Sequence, residues 1–137
     1  MSAWNNAVRI TAPPQEVWKV LADLPHSSQW QPNVKWAIVE SKGPFGPGTQ
    51  VKLETAQGTV RLSVKECAAP ERLVMEVDRV GVKGRSTYVL TPMGDETVVE
   101  HRLDLELAGL ASLFSFTVGG ILKKELHSLK KWVERTA

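Results

Sequence analysis

Six short extended segments follow one another through most of the sequence with few residues between them. They lie near 34–41, 49–56, 58–67, 72–80, 84–92 and 96–107. Gly, Pro or Asp residues bound most of them, which is typical of strands joined by turns. Parallel strands would each need a crossover of about a dozen residues or more, whereas antiparallel strands can be joined by hairpins. The spacing therefore predicts an antiparallel meander.

The last of these segments shows which side of the sheet is covered. Its residues alternate in polarity, with Glu100, Arg102, Asp104 and Glu106 on one face. The opposite face carries Val99, His101, Leu103, Leu105 and Leu107. Successive strand residues point to opposite faces, so one face is solvated and the other is apolar except for a single histidine. We expect a strongly curved sheet with one covered face.

Helical segments lie at both ends of the meander. The strand Trp4–Ile10 leads into Pro13 and Pro14, and apolar residues at helical spacing follow, so we expect a helix of about three turns that ends at Pro25. Residues 26–32 have room only for a short helical turn.

The C-terminal segment, about 108–136, has the pattern of a long amphipathic helix. Its apolar arc comprises Leu110, Phe114, Val118, Ile121, Leu122, Leu129, Trp132 and Val133. Lysines 123, 124, 130 and 131 fall opposite this arc. The Gly119-Gly120 pair lies within the helix and should permit a bend or a close backbone approach. We expect this helix to cover the apolar face of the sheet.

Composition indicates an ordinary soluble protein of one domain, residues 1–137. Of the 137 residues, 42% are hydrophobic and 23% charged, and the formal net charge is +2. The single cysteine, Cys67, excludes an internal disulfide, and the N-terminal residues lack a signal-peptide pattern, so we expect a cytoplasmic protein. The uncharged run Leu107–Leu122 is only 16 residues long and contains three glycines, so we expect no membrane-spanning helix.

The order of elements and three local motifs resemble the helix-grip fold of the START/polyketide-cyclase (SRPBCC) superfamily, in particular its polyketide cyclase/dehydrase branch. The motifs are Ile10-x-Ala12-Pro13-Pro14-x-x-Val17-Trp18-x-x-Leu21-x-Asp23-Leu24, then Trp30-x-Pro32-x-Val34, then Gly43-Pro44-x-Gly46-x-Gly48-Thr49. The resemblance implies an α+β fold with about seven antiparallel strands, two short helices after the first strand and a long C-terminal helix. It also implies a cavity for a hydrophobic ligand between sheet and helix.

Two polar residues on apolar faces are the foremost candidates for a site. His101 has the chemistry of a general base or of a hydrogen-bonding partner for a ligand carbonyl. We favour the alternative, a core or rim histidine bonded to a neighbouring element. Glu125 falls inside the apolar arc of the helix, where it would pair with His101 or with an arginine. Here too we favour the alternative, in which the carboxylate reaches solvent.

Tyr88, the only tyrosine, carries a hydroxyl suited to a ligand oxygen, although aromatic packing with a wet tip explains it equally well. Arg79 and Arg85 are interpreted as solvated strand charges. Plain core packing competes with a ligand role for the apolar candidates. The full candidate set is Trp30, Trp36, Met75, Tyr88, His101, Phe114, Val118, Ile121 and Glu125, with Trp132 as a further wall.

Three functions remain open. The leading hypothesis is binding or transport of a small lipid-like or aromatic ligand, without cofactor or metal. The second is an aromatase/cyclase-type enzyme that uses His101 as acid and base. The third is a protein- or membrane-docking module that uses a strand edge or the basic helix. We expect no nucleic-acid partner, because no recognition motif is present, and we leave a homodimer open.

Overall fold

The computed structural model describes residues 2–80, 82–107 and 115–136. Its strands are β1 (Ser2–Ile10), β2 (Val34–Val39), β3 (Gln50–Thr55), β4 (Gly58–Ala68), β5 (Arg72–Arg79), β6 (Val82–Met93) and β7 (Glu96–Leu107). Its helices are α1 (Pro14–Ala22), a 3-10 helix (Leu24–Gln29) and α2 (Ser115–Thr136).

Within these ranges, the strands form one seven-stranded sheet in the order β1-β7-β6-β5-β4-β3-β2. Every neighbouring pair is antiparallel. The meander from β2 to β7 follows chain order, and β1 adds to the far side of β7. The predicted α+β helix-grip architecture is confirmed, with β2 and β1 as the edge strands.

The prolines after β1 place the first helices. Pro13 is the extended residue before α1 and Pro14 is its first residue, where a missing N–H costs no hydrogen bond. Helix α1 buries Val17 and Leu21. The sequence predicts that Leu24 belongs to this helix, but Asp23 has the non-helical angles φ −82° and ψ 66° and ends α1, so Leu24 begins the 3-10 helix.

Helix α2 packs on the inner face of the sheet through its C-terminal half. Leu126, Leu129 and Val133 are buried in the main core. Two polar contacts attach the same half to the junction of β1 and α1. The Lys130 ammonium donates to the carbonyl of Arg9 at 2.7 Å, and the N–H of Thr11 donates to the Glu134 carboxylate at 2.7 Å. The predicted residues 108–114 of this helix lie outside the described ranges. No helix of the described residues has the length and apolar character of a membrane span.

The Gly119 position lies against Trp4, whose role the sequence leaves unexplained. The indole Cδ1 of Trp4 is 3.5 Å from the point where a Cβ of Gly119 would lie. Trp4 also packs on a second apolar cluster of Leu103, Leu105 and Leu122. The 3.5 Å separation is an ordinary van der Waals distance, and Gly120 has no neighbour within 4 Å, so the contact between β1 and the N-terminal half of α2 does not require the glycine pair.

We expect Gly84→Ala to lower the free energy of unfolding by about 1–3 kcal/mol, the usual cost of overpacking. A Cβ at this position of β6 would overlap the carbonyl oxygen of Asp104 and lie 2.7 Å from Cδ2 of Leu105. Gly120→Ala is the matched control. It is exposed in α2 with no neighbour within 4 Å, so helix propensity should raise stability by about 0.5–1 kcal/mol. Urea unfolding measures both, and equal effects of the two substitutions would contradict the packing argument.

Candidate inner-cavity site

A cavity of about 200 Å³ lies between the inner face of the sheet and the N-terminal half of α2. Apolar strand residues form its floor, among them Leu53, Leu62, Met75, Val77, Leu103 and Leu105. Helix α2 covers it with Val118, Ile121, Leu122 and Glu125. Asn33 before β2 and the exposed Gln57 in the β3–β4 turn also line it, so the cavity reaches solvent at that end.

A larger groove of about 840 Å³ lies on the outer face of the sheet. It is lined mainly by charged side chains, and several of these form surface ion pairs, such as Arg61 with Glu40 at 3.4 Å and Arg102 with Asp104 at 2.9 Å. Ligand sites are mostly apolar cavities with a few convergent polar groups. The inner cavity fits that description, so it is the candidate site despite its smaller volume.

Six of the nine candidate residues come together in this cavity. They are Met75, Tyr88, His101, Val118, Ile121 and Glu125. They come from three neighbouring strands and from α2. Strand alternation places the first three on the inner face, and helical spacing places the last three on one side of α2. Phe114 lies outside the described residues.

The structure does not bring Trp36 to the cavity. Val34 does line it, and simple alternation would place Trp36 on the same face. A register shift between Val34 and Trp36 changes this, because Trp36 pairs with Glu54 and Ala37 pairs with Leu53. Trp36 is therefore 40% exposed on the edge strand, with the Lys52 ammonium 5.8 Å from its ring centroid. One extra strand residue has turned the indole outward.

Trp30 and Trp132 also lie away from the cavity. Trp30 is only 5% exposed and belongs to the main core, and Trp132 packs against that core. Both line a separate surface cleft, where the Arg135 guanidinium is 5.9 Å from the Trp132 ring centroid. The reason is the position of Trp132 near the C-terminal end of α2, which covers the 3-10 helix side of the core.

His101 is held in place by neighbouring strand β6. Its ring is 3% exposed, its Nε2 is 2.8 Å from the Ser86 hydroxyl, and it stacks on Tyr88 with centroids 4.1 Å apart and planes at 10°. Tyr88 and His101 are directly opposite in the β6–β7 register. Burial lowers the pKa of His101 to about 4, so the ring is neutral near pH 7. The favoured interpretation, a histidine bonded to a neighbouring element, agrees with this geometry, although the residue also lines the cavity.

Glu125 lies in the middle of α2 and not near a helix end, and its side chain lines the cavity and is partly buried. Burial raises the pKa of its carboxyl to about 7. Its charge further raises the already elevated pKa of Tyr88, which indicates that the two groups are neighbours. Glu125 makes no hydrogen bond or ion pair with another described residue, so the less favoured alternative, a pairing with His101 or an arginine, is absent there.

Arg79 is the charged lining residue that the sequence interpretation does not place in the cavity. The sequence indicates a solvated strand charge, but the residue is partly buried and lines the cavity. The signal was available, because Leu73, Met75, Val77 and Arg79 form one alternating row of β5. Within the described residues, no cluster of three His, Cys, Asp or Glu side chains has the arrangement of a metal site.

We expect Glu125→Gln to raise the free energy of unfolding by about 1–3 kcal/mol near pH 8 and to change it little near pH 4.5. The folded carboxyl has a pKa of about 7 against a reference value of 4.5. Between these values the folded state holds more protons than the unfolded state, so this group makes stability fall as pH rises. The uncharged amide of the Glu125→Gln variant does not titrate, so this decrease in the free energy of unfolding with rising pH is lost.

Guanidinium unfolding of both proteins across this pH range measures the difference. Glu100→Gln is the control, since Glu100 is exposed on the outer face of β7 and should shift stability by less than about 0.5 kcal/mol at either pH. A pH-independent difference between wild type and Glu125→Gln would show that the carboxyl is not desolvated.

Comparison with known proteins agrees with this architecture. The chain is similar to a START superfamily protein from Mycobacterium smegmatis, with a TM-score of 0.85, 19% identity and coverage of 98% of this chain and 99% of the other. For a protein from Thermus thermophilus the TM-score is 0.75 and the identity 21%, with coverage of 98% of this chain and 95% of the other. For the di-domain ARO/CYC BexL from the BE-7585A biosynthetic pathway the TM-score is 0.79 and the identity 16%, with coverage of 98% of this chain and 47% of BexL.

At these identities the likeness concerns the fold alone. No curated protein matches the chain significantly. A family model described as "Polyketide cyclase / dehydrase and lipid transport" matches residues 4–134. That match spans nearly all of the chain, including every strand and helix around the cavity. The chain therefore belongs to the polyketide cyclase/dehydrase and lipid transport family.

Proposed function

We propose that the protein binds a small hydrophobic ligand in the inner cavity beneath α2. The observation that carries this proposal is the contrast within the cavity. Its floor and roof are mostly apolar, while Ser86, Tyr88, His101 and Glu125 supply polar groups from β6, β7 and α2. Apolar walls with a small number of placed polar groups are the usual composition of small-molecule sites. Membership of a family that includes lipid-transport proteins supports the same function.

The cavity volume limits the size of the ligand. An apolar cavity of about 150 Å³ holds a benzene molecule. A cavity of about 200 Å³ therefore suits a compound of one or two rings, or a short alkyl chain. A multi-ring polyketide or a two-chain lipid would extend through the open end near Asn33 and Gln57. We infer that the enclosed part of the ligand is compact.

The walls supply most of the binding energy in this proposal. Burial of apolar surface contributes about 25 cal/mol per Å² before the cost of association is subtracted. The polar groups contribute orientation. The Ser86–His101 hydrogen bond occupies Nε2 of His101, whereas the buried Nδ1 of the same ring has no partner among the described residues. This nitrogen, the Tyr88 hydroxyl and the Glu125 carboxyl are therefore the groups that a ligand could bond.

A cyclase or dehydrase activity is the second candidate, supported by the same family membership. The group proposed from the sequence to perform it, His101, is a weak base in this setting. Its lowered pKa, about 4, lies far from the near-neutral value that suits general acid–base catalysis. The carboxyl of Glu125, with a pKa of about 7, is better matched to proton transfer. Ligand binding alone requires no proton transfer, so we place the binding function before the enzymatic one.

The docking hypothesis receives less support from the lysines of α2. Lys130 lies between the Arg9 carbonyl and the Glu134 carboxylate, at 2.7 Å from each, so it stabilises the fold. Lysines 123, 124 and 131 remain exposed. A membrane or protein partner for this surface, like a homodimer, stays a prediction from the sequence.

We expect Val118→Trp to weaken ligand binding at least about tenfold, because the indole would fill much of a cavity of about 200 Å³. Isothermal titration calorimetry with 2-naphthol and 1-octanol, one aromatic and one alkyl probe, measures the effect. Val39→Trp is the matched control. It places the same side chain on edge strand β2, which is 36% exposed at this position, and should bind both probes as wild type does.

Two results would contradict the proposal. If the wild-type protein shows no saturable binding of either probe, the proposed binding function is wrong. Equal affinities of Val118→Trp and wild type, with the variant folded by circular dichroism, would place the binding site elsewhere.

A further inference from the structure

We propose that the natural ligand carries a basic nitrogen, which pairs as a cation with the Glu125 carboxylate while its apolar body fills the inner cavity. This inference rests on the proposed binding function and specifies the chemical class of the ligand. An arylalkylamine, with one ring and an ammonium group on a short alkyl arm, has the shape and charge required.

The first step concerns the charges that face Glu125. Among the described residues, the titratable groups that line the cavity are Arg79 on β5, Tyr88 on β6, His101 on β7 and Glu125 itself. The lining residues of α1, the 3-10 helix, β2, β3 and β4 are apolar or carry uncharged amide and hydroxyl groups. Arg79 is thus the one cationic side chain in the described lining of the cavity.

The second step shows that Arg79 does not neutralise Glu125. Glu125 lies beside Tyr88, and Tyr88 pairs with Leu73 at the start of β5. Arg79 ends the same strand, six residues later, which is about 20 Å along the strand. In agreement with this separation, burial alone accounts for the raised pKa of Glu125, with no contribution from a cation. The carboxyl therefore lies in an apolar cavity without a counter-charge among the described residues.

The third step concerns the groups around the carboxyl. Tyr88 and His101 are both neutral near pH 7, because burial raises the pKa of the first and lowers that of the second to about 4. Neither competes with a ligand for the negative charge. Their stacked rings, 4.1 Å apart, form an aromatic pair beside it, and aromatic rings attract cations. An ammonium group would donate to the carboxylate in a charge-assisted hydrogen bond.

Other ligand charges fit less well. A carboxylate ligand would be repelled by the ionised Glu125. A neutral hydroxyl or carbonyl could hydrogen-bond the carboxyl but supplies no counter-charge, whereas a cation stabilises the ionised form that burial disfavours. Cation binding would consequently lower this pKa and release protons from the carboxyl.

Matched probes test the inference by calorimetry on the full chain. 2-Phenylethylamine and 2-phenylethanol have nearly the same shape and differ in charge. Near pH 8 we expect the amine to bind at least about tenfold more tightly than the alcohol. Its affinity should fall about 30-fold between pH 8 and pH 5.5, as a carboxyl with a pKa of about 7 takes up a proton, and the alcohol should show no such fall. Titrations in buffers of different ionisation enthalpy should detect proton release with the amine near pH 7.

Two carboxyl-to-amide variants locate the effect. Glu125→Gln should bind the amine no more tightly than the alcohol at either pH and should release no protons. Glu100→Gln removes an exposed carboxyl from the outer face of β7 and should keep the wild-type preference and its pH dependence. A preference that survives Glu125→Gln, or that is lost in Glu100→Gln, would overturn the assignment to Glu125.

The remaining outcomes separate this inference from the proposed function. If wild-type protein binds 2-naphthol or 1-octanol but does not prefer the amine over the alcohol, the amine assignment is wrong and the binding function stands. If none of the four probes binds, both are wrong.

Discussion

The burial of the inner sheet face beneath α2 is the constraint on which the rest of the molecule depends. An antiparallel sheet with one apolar face requires a cover, and α2 is the one helix of the described residues long enough to provide most of it. The cover is uneven. Around Leu129 and Val133, which have almost no exposed surface, sheet and helix pack without space between them. Between Val118 and Glu125 they enclose the cavity. The cavity is thus the part of the core that the side chains of sheet and helix leave unfilled.

Polar contacts fix where α2 lies on the sheet. Lys130 and Glu134 bond to each other and to the backbone of Arg9 and Thr11, where β1 leads into α1. At the other end of the helix, Trp4 of β1 lies beside Gly119. Both ends of the described helix therefore contact β1 or the residue after it. This arrangement holds the helix over the sheet while its middle spans the cavity.

Burial shifts the pKa values of His101 and Glu125 in opposite directions, because it disfavours the charged form of each. Burial keeps the His101 ring neutral, and the ring bonds the Ser86 hydroxyl through Nε2 and stacks on Tyr88, but its buried Nδ1 has no hydrogen-bond partner among the described residues. Glu125 has burial without a compensating partner among the described residues, which favours its protonated form. An unsatisfied group in a cavity is costly to the fold alone. It becomes useful when a ligand supplies the missing partner, which is the physical basis of our proposals.

Alternation and helical periodicity determined much of this from the sequence alone. They indicated the meander, the inward row of β7 with His101, the covered apolar face and the amphipathic α2, because these patterns report directly which side of an element is buried. The same rule, applied further along β5, would also have placed Arg79 in the cavity. The family resemblance added the cavity itself, which composition does not reveal.

Only the tertiary structure decided which candidates meet. Trp36 was misplaced because an extra residue in β2 changes its register with β3, and the alternation pattern contains no sign of that shift. Trp30 and Trp132 share a cleft outside the cavity because of how the end of α2 lies on the 3-10 helix, a matter of packing between distant segments. The environment of Glu125 likewise depends on the strands opposite it. Local sequence determines which face of an element is apolar, whereas the partners of a buried charge depend on contacts between residues far apart in the chain.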